Sequence, residues 1–192
     1  PSGIIAGFVD VLGDYLPLVC TLIASRVLDA ACSVLGVDYA ELDRLAVSVP
    51  DAGGLVLLPY LEGERTPNLP SATGSLHGIT RANSTPAHYA RAAVEGMVCG
   101  LAAGLTALQD AGVACRRVLL VGGGAQSMAV GQIAAEVFGV PVVVPSPGEY
   151  VAAGAARQAA WALTGELPQW DSAQVRSVEA QPSPATLGRF NE

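Results

Sequence analysis

Apolar and polar positions along the chain change period several times, and those changes outline its elements. Residues 4–11 and 15–23 are two β-prone apolar runs around Gly13-Asp14, the pattern of an antiparallel hairpin with a two-residue turn. Ser25 stands where a capping hydroxyl would open a helix over 26–35 that Gly36 closes; a second short helix is expected over 39–46. Gly53-Gly54 introduces a strand over 55–58. From there to Asn83 the chain is rich in Pro, Gly, Ser and Asn and reads as an ordered loop. Thr85-Pro86 sets a capping hydroxyl before proline at the first helical position. A long helix is therefore expected to residue 111, with its stop at Gly112.

On that helix Gly96, Gly100 and Gly104 recur every fourth residue. Each costs a helix interior about 1 kcal/mol against alanine, so another helix or a sheet should pack against the bare stripe. A strand over 117–121, a helix over 127–138 stopped by Gly139, a strand over 140–144 and a helix over 150–163 follow. This alternation predicts a right-handed crossover that sets the two strands parallel. The organisation read here is a lobe over 1–165 and a polar tail over 166–192, docked through Trp170 and Phe190.

The most informative stretch joins the first of those strands to its helix: Val121-Gly122-Gly123-Gly124-Ala125-Gln126-Ser127. Three glycines without Cβ let a flat ligand lie against the backbone. The amides at the next helix N-terminus suit a phosphate or a polar nucleotide edge. A tight strand-to-helix turn that merely packs closely explains the glycines equally well. Ser127 would cap the helix in either case.

Composition narrows the chemistry. Half of the chain is apolar (51%) but only 5% is aromatic, so the core must be alanine, valine and leucine. A net charge of −7 argues against nucleic acid and anionic membranes as partners, and a phosphate ligand should arrive with Mg²⁺. All 10 basic residues are arginine, which excludes a P-loop lysine and a Schiff-base lysine. His77 and His88 lie too far apart for an HExxH zinc site, and the 4 cysteines show no CxxC spacing, so buried free thiols in a reducing compartment are expected. The uncharged run 118–135 is interrupted by glycines, Gln126, Ser127 and Gln132 and does not read as a membrane span. The start at Pro1, directly in strand-like sequence, reads as a fragment or processed piece.

Several side chains invite a catalytic reading and receive none. Glu64 and Arg65 in a proline-rich loop read as a salt bridge or as loop-holding hydrogen bonds; Asp10 and Asp14 read as turn residues. His88 sits in the first turn of a capped helix, and Arg116-Arg117 should face solvent. No catalytic residue and no metal ligand is assigned.

Four ordered motifs resemble the C-terminal lobe of the FGGY carbohydrate kinases, and within them the xylulokinase branch. They are Leu58-Pro59-Tyr60-Leu61-Glu62-Gly63-Glu64-Arg65-Thr66-Pro67; Gly78-Ile79-Thr80 with Ala87-His88-Tyr89-Ala90-Arg91-Ala92 and Glu95-Gly96; the triple-glycine stretch; and Glu149-Tyr150-Val151-Ala152-Ala153-Gly154-Ala155-Ala156. The resemblance implies an α/β fold of the ribonuclease H-like, actin-like ATPase type, a mixed sheet flanked by helices, truncated at its N-terminal strand. It implies ATP bridging two lobes, with Gly122, Gly123, Gly124, Ala125 and Ser127 as adenosine contacts. The family's "WRQ" is replaced by Val130-Gly131-Gln132, which leaves the contacts of those side chains unassigned.

The implied activity is transfer of the ATP γ-phosphate to D-xylulose in the cytoplasm, with Mg²⁺. The base aspartate and both phosphate loops of the family have no counterpart in this sequence, so the chain alone is expected to be inactive and to need the N-terminal lobe. Missing that partner, it should self-associate or form a homodimer. A kinase for gluconate, glycerol or ribulose stays open, as does a non-catalytic actin-like nucleotide-binding or assembly module.

Overall fold

A computed structural model describes residues 3–22, 24–170 and 174–192. The chain opens with a hairpin, β1 (Ile5–Val9) and β2 (Tyr15–Val19), antiparallel from Ile5 opposite Val19 to Val9 opposite Tyr15. Its connection spans residues 10–14 rather than two residues, because the Asp10 carboxylate gathers the Leu12 and Asp14 amides, each at 2.8 Å. The expected strand end at Ile23 lies outside the described residues, as does the start at Pro1.

Two helices follow, α1 (Arg26–Leu35) and α2 (Tyr39–Val47). Ser25 occupies the cap position of α1 but is itself helical, and its hydroxyl caps nothing; its carbonyl accepts from Leu28 at 2.9 Å instead. Asp38 caps α2 by accepting from the Glu41 amide at 2.8 Å. Then β3 (Val56–Leu58) pairs antiparallel with β4 (Ser75–His77). The second strand arises inside a stretch whose composition shows only a loop.

The central element is α3 (Pro86–Asp110), capped as expected by Thr85, whose hydroxyl oxygen accepts from the His88 amide at 3.3 Å. Residues 90–99 are buried without a break. By length and composition α3 could cross a membrane, yet 56% of its most apolar window is covered by the fold, which makes it a core helix. Buried Arg91 ties it to its neighbours: Nε donates to Glu95 at 2.6 Å, and Nη2 donates to Glu136 on the next helix. Burial outweighs that pairing for Glu95 and pushes its carboxyl up, and it pushes the Cys99 thiol up to about 12. The cysteines are free thiols, with Cys99 buried.

The glycine stripe meets strands, at two of its three positions. A Cβ on Gly96 would collide with the Leu57 carbonyl on β3, and one on Gly104 would lie 3.2 Å from the Val19 side chain on β2. One on Gly100 would meet nothing. Gly96→Ala is therefore expected to destabilise by about 1–3 kcal/mol, since backbone cannot step aside. Gly104→Ala should cost less, because a valine can shift. Gly100→Ala should stabilise by up to about 1 kcal/mol. Urea midpoints in the order Gly100→Ala, wild type, Gly104→Ala, Gly96→Ala would bear this out.

The remaining elements are β5 (Val118–Leu119), a 3₁₀ turn (Gly123–Gln126), α4 (Met128–Phe138), β6 (Val142–Pro145), α5 (Tyr150–Thr164), β7 (Gln174–Val178) and α6 (Pro184–Asn191). Strand β6, wholly buried, pairs parallel with β5 as the βαβ pattern predicts and antiparallel with β7 on its other side. Helices α1 to α4 enclose a core of Val27, Leu28, Leu42, Ala93, Val98, Ala134 and their neighbours, as a chain poor in aromatics requires. Phe190 on α6 packs against this core, whereas Trp170 is 49% exposed. Helix α5 buries no residue and is tied down through Arg157, whose Nε donates to the Pro168 carbonyl at 2.8 Å.

Candidate nucleotide site

The triple glycine does not pass straight from strand to helix. Gly122, at φ 98° and ψ −179°, holds a conformation open essentially to glycine alone, and it starts the 3₁₀ turn that Gly123 and Gly124 enter. Ser127 ends that turn and caps α4, accepting from the Val130 amide at 2.9 Å.

A cavity of about 530 Å³ lies between this turn and the α1–α2 pair, lined by Ser25, Leu28, Asp29, Tyr39, Ala40, Leu42, Asp43, Gly123, Gly124, Gln126 and Ser127. Its size suits a nucleoside-sized ligand. Leu28 and Leu42, core residues, close its floor, and the carboxylates and Gln126 supply hydrogen-bonding groups at its edge. Gly123 is the telling member: a Cβ there would meet nothing within 4 Å, so no packing inside the chain requires glycine. Gly124 differs, since its Cβ would come 3.4 Å from Ser25. On the other side of the turn, Gly122 and Gly123 border a cleft of about 280 Å³ with Ser146, Glu149 and Tyr150.

Of the five residues singled out from the sequence, Gly123, Gly124 and Ser127 thus face the larger cavity, and Gly122 the smaller cleft. Ala125, 6% exposed, belongs to the core.

Asp43 has no motif around it and was invisible in the sequence. Its carboxylate accepts from the Ser127 hydroxyl at 2.5 Å and from the Met128 amide at 2.8 Å. The helix N-terminus that looked open to an anion is already served by this carboxylate. The cavity is correspondingly negative. The Asp29 hydrogen bond pushes the Tyr39 phenol up, and burial followed by Asp29, Asp38 and Asp43 pushes the Cys32 thiol up. The carboxylates of Asp29 and Asp43 on its lining disfavour a polyphosphate in this cavity.

The loop 58–67 follows β3. Glu64, 4% exposed, makes no salt bridge with Arg65; its Oε1 accepts from the Leu22 amide at 2.7 Å and the Arg65 amide at 2.6 Å. It therefore pins the loop to the end of the hairpin, the hydrogen-bonding alternative read from the sequence. The exposed pair Arg26–Glu62, at 2.5 Å, links the same loop to the start of α1 beside the cavity.

The fold is that of a lobe of the actin-like ATPase type, and comparison with known proteins gives its family. The C-terminal domain of the FGGY family of carbohydrate kinases matches residues 2–163, and the chain belongs to that family. It is 42% identical over 186 residues to the xylulose kinase of Streptomyces rubiginosus, covering 94% of this chain and 37% of that protein. It is 41% identical to the xylulose kinase of Streptomyces coelicolor, covering 99% of this chain and 39% of the relative. Among solved structures, the xylulose kinase from Bifidobacterium adolescentis superposes with a TM-score of 0.88 at 44% identity, over 99% of this chain and 38% of that one. The chain thus spans less than two-fifths of each of these three relatives.

Proposed function

We propose that the chain is the nucleotide-side lobe of an ATP-dependent D-xylulose kinase, transferring the γ-phosphate of ATP to the sugar to give D-xylulose 5-phosphate. The observation that carries the nucleotide half is Gly123, a glycine the fold does not need, on the wall of a nucleoside-sized cavity. The family membership supports phosphoryl transfer, and the identity to xylulose kinases supports this sugar.

In this reading adenosine lies against Gly123, Gly124 and Ser127, between the turn and the α1–α2 pair, while Gly122 borders the cleft behind the turn and Ala125 supports it from the core. Asp29 and Asp43 stand where an exocyclic amine could donate. Among the described residues no group of three or more His, Cys, Asp or Glu side chains could hold a metal ion. In this reading Mg²⁺ arrives with the phosphates, outside this cavity. Catalysis requires the base and phosphate contacts of an N-terminal lobe, because aligned phosphoryl transfer needs both reactants held. The setting is cytoplasmic, where ATP and free thiols coexist.

Calorimetric titration with Mg-ATP and Mg-ADP tests the reading. The two nucleotides should bind this chain with similar affinity, since the cavity holds what they share. A strong preference for ATP, or no binding to the folded chain, would contradict it. The chain alone should show no turnover of D-xylulose.

Self-association is a further expectation. Phe8, Val9, Leu12, Tyr15 and Leu16 on the hairpin are each 50% or more exposed, and α5 leaves Val151 90% exposed. Apolar surface of this kind is normally covered by a partner. Light scattering should find species heavier than the monomer; a strictly monomeric solution across the micromolar range would count against this.

A further inference from the structure

The back of the glycine turn is held by a residue from far along the chain. Arg176, on β7, reaches across α4, and its Nη2 donates to the carbonyl oxygens of Ala125 at 3.2 Å and of Ser127 at 3.1 Å. These carbonyls bracket the exit of the turn into the helix. The Ser127 carbonyl is also the first acceptor of α4, taking the Gly131 amide at 3.3 Å. The Ala125 carbonyl belongs to a residue only 6% exposed, where an unmet acceptor would be costly.

Arg176 occupies the space that residue 131 leaves without a side chain. A Cβ on Gly131 would stand 2.8 Å from Arg176 Nη2 and 3.3 Å from its Cζ. Gly131 lies on the buried face of α4, where glycine weakens a helix relative to alanine. The guanidinium in that space accounts for it. Arg176 also lies beyond residues 2–163 that match the family's C-terminal domain. The turn is thus gripped from two sides: by Asp43 on the cavity side and by Arg176 behind.

We propose that Arg176 is a positioning residue for nucleotide binding: seated in the gap at Gly131, it fixes the Ala125 and Ser127 carbonyls and so holds the Gly123–Gln126 backbone in the shape the nucleoside meets. The proposal rests on the nucleotide reading of the cavity. A plain staple between β7 and α4 would act on stability alone, and β7 has its own pairing with β6 through Val142 opposite Val178 and Val143 opposite Ser177.

The test is calorimetric titration of Mg-ADP into the chain and into Arg176→Met, Arg176→Lys, Gly131→Ala and the Gly131→Ala/Arg176→Met pair, with thermal melting of each. Arg176→Met should weaken binding about tenfold, as expected for losing hydrogen bonds from a charged donor. Arg176→Lys should recover part of this, since the ammonium keeps the charge but not the planar fork. Gly131→Ala should displace the guanidinium and weaken binding in the same direction as Arg176→Met but by less, and the pair should be no worse than its weaker-binding member. Binding by Arg176→Met equal to wild type, with only the melting temperature lowered, overturns the proposal. Should Gly131→Ala fail to fold, the methionine and lysine variants decide it alone. Gly123→Val separates the two levels: binding lost there but kept in Arg176→Met sinks the positioning role and spares the cavity. No binding by folded wild type sinks both.

Discussion

Replacing Arg91 by methionine is expected to cost about 3–5 kcal/mol, a large part of the roughly 5–15 kcal/mol that holds a typical domain folded. Arg91 is 2% exposed, the largest side chain so fully enclosed, and it bonds Glu95 on its own helix and Glu136 on α4. Methionine fills much of the volume but leaves the Glu95 carboxylate, 5% exposed, without its counter-charge. The deficit should depend on pH. Burial already raises Glu95 in the folded chain, and losing Arg91 removes the main influence that lowers it. A group whose folded value lies above its unfolded one contributes stability below the unfolded value, and loses it as pH rises through the folded one. Thermal melts should therefore show the gap between variant and wild type narrowing as pH falls from 8 toward 5. A gap of under 1 kcal/mol, independent of pH, would show that the α3–α4 contact is held by apolar packing alone.

The second large effect concerns function. Gly123→Val should abolish nucleotide binding while leaving the fold intact. Gly123 is not among the glycines with positive φ, and a Cβ there touches nothing in the chain, so neither strain nor collision opposes the substitution. The branched side chain would project into the open space where the ligand is proposed to rest. Gly122→Val is the contrasting control: at φ 98° it should be strained whatever occupies the site, and its melting temperature should fall. Separation of the two variants, one losing binding and the other stability, distinguishes a ligand surface from a structural turn.

What was legible in the sequence was mostly local. Thr85 with Pro86, and Gly36 and Gly139 at helix ends, act through bonds within one or two turns, and each bounds a helix in the structure. The parallel β5–β6 pair followed from strand and helix alternating around a buried apolar run. Strands β4 and β7 have no local signature in the sequence. Ser75-Leu76-His77 sits in a loop-like composition, and Gln174–Val178 in a polar tail; each becomes a strand only because a distant partner offers its edge. Ser25 shows the opposite error: a residue of the right type in the right place, whose helical backbone keeps its hydroxyl from the cap.

The site divides in the same way. Gly122 to Ser127 announce themselves by their spacing, whereas Asp43 and Arg176, which hold that turn from either side, lie 84 and 49 residues from Ser127. An aspartate in an amphipathic helix and an arginine in a polar tail look like ordinary surface residues. Only the packing of α2 and β7 against α4 brings them to the turn. The one faint sign was Gly131 inside a helix, an unexplained absence of a side chain that a guanidinium explains.

The most direct test of the central claim is calorimetric titration of Mg-ADP into this chain and into Gly123→Val, with thermal melts of both. The account predicts binding by wild type, none by the variant, and matching melting temperatures. Equal binding by the two, or no binding by a folded wild-type chain, would contradict it and return the triple glycine to a structural turn.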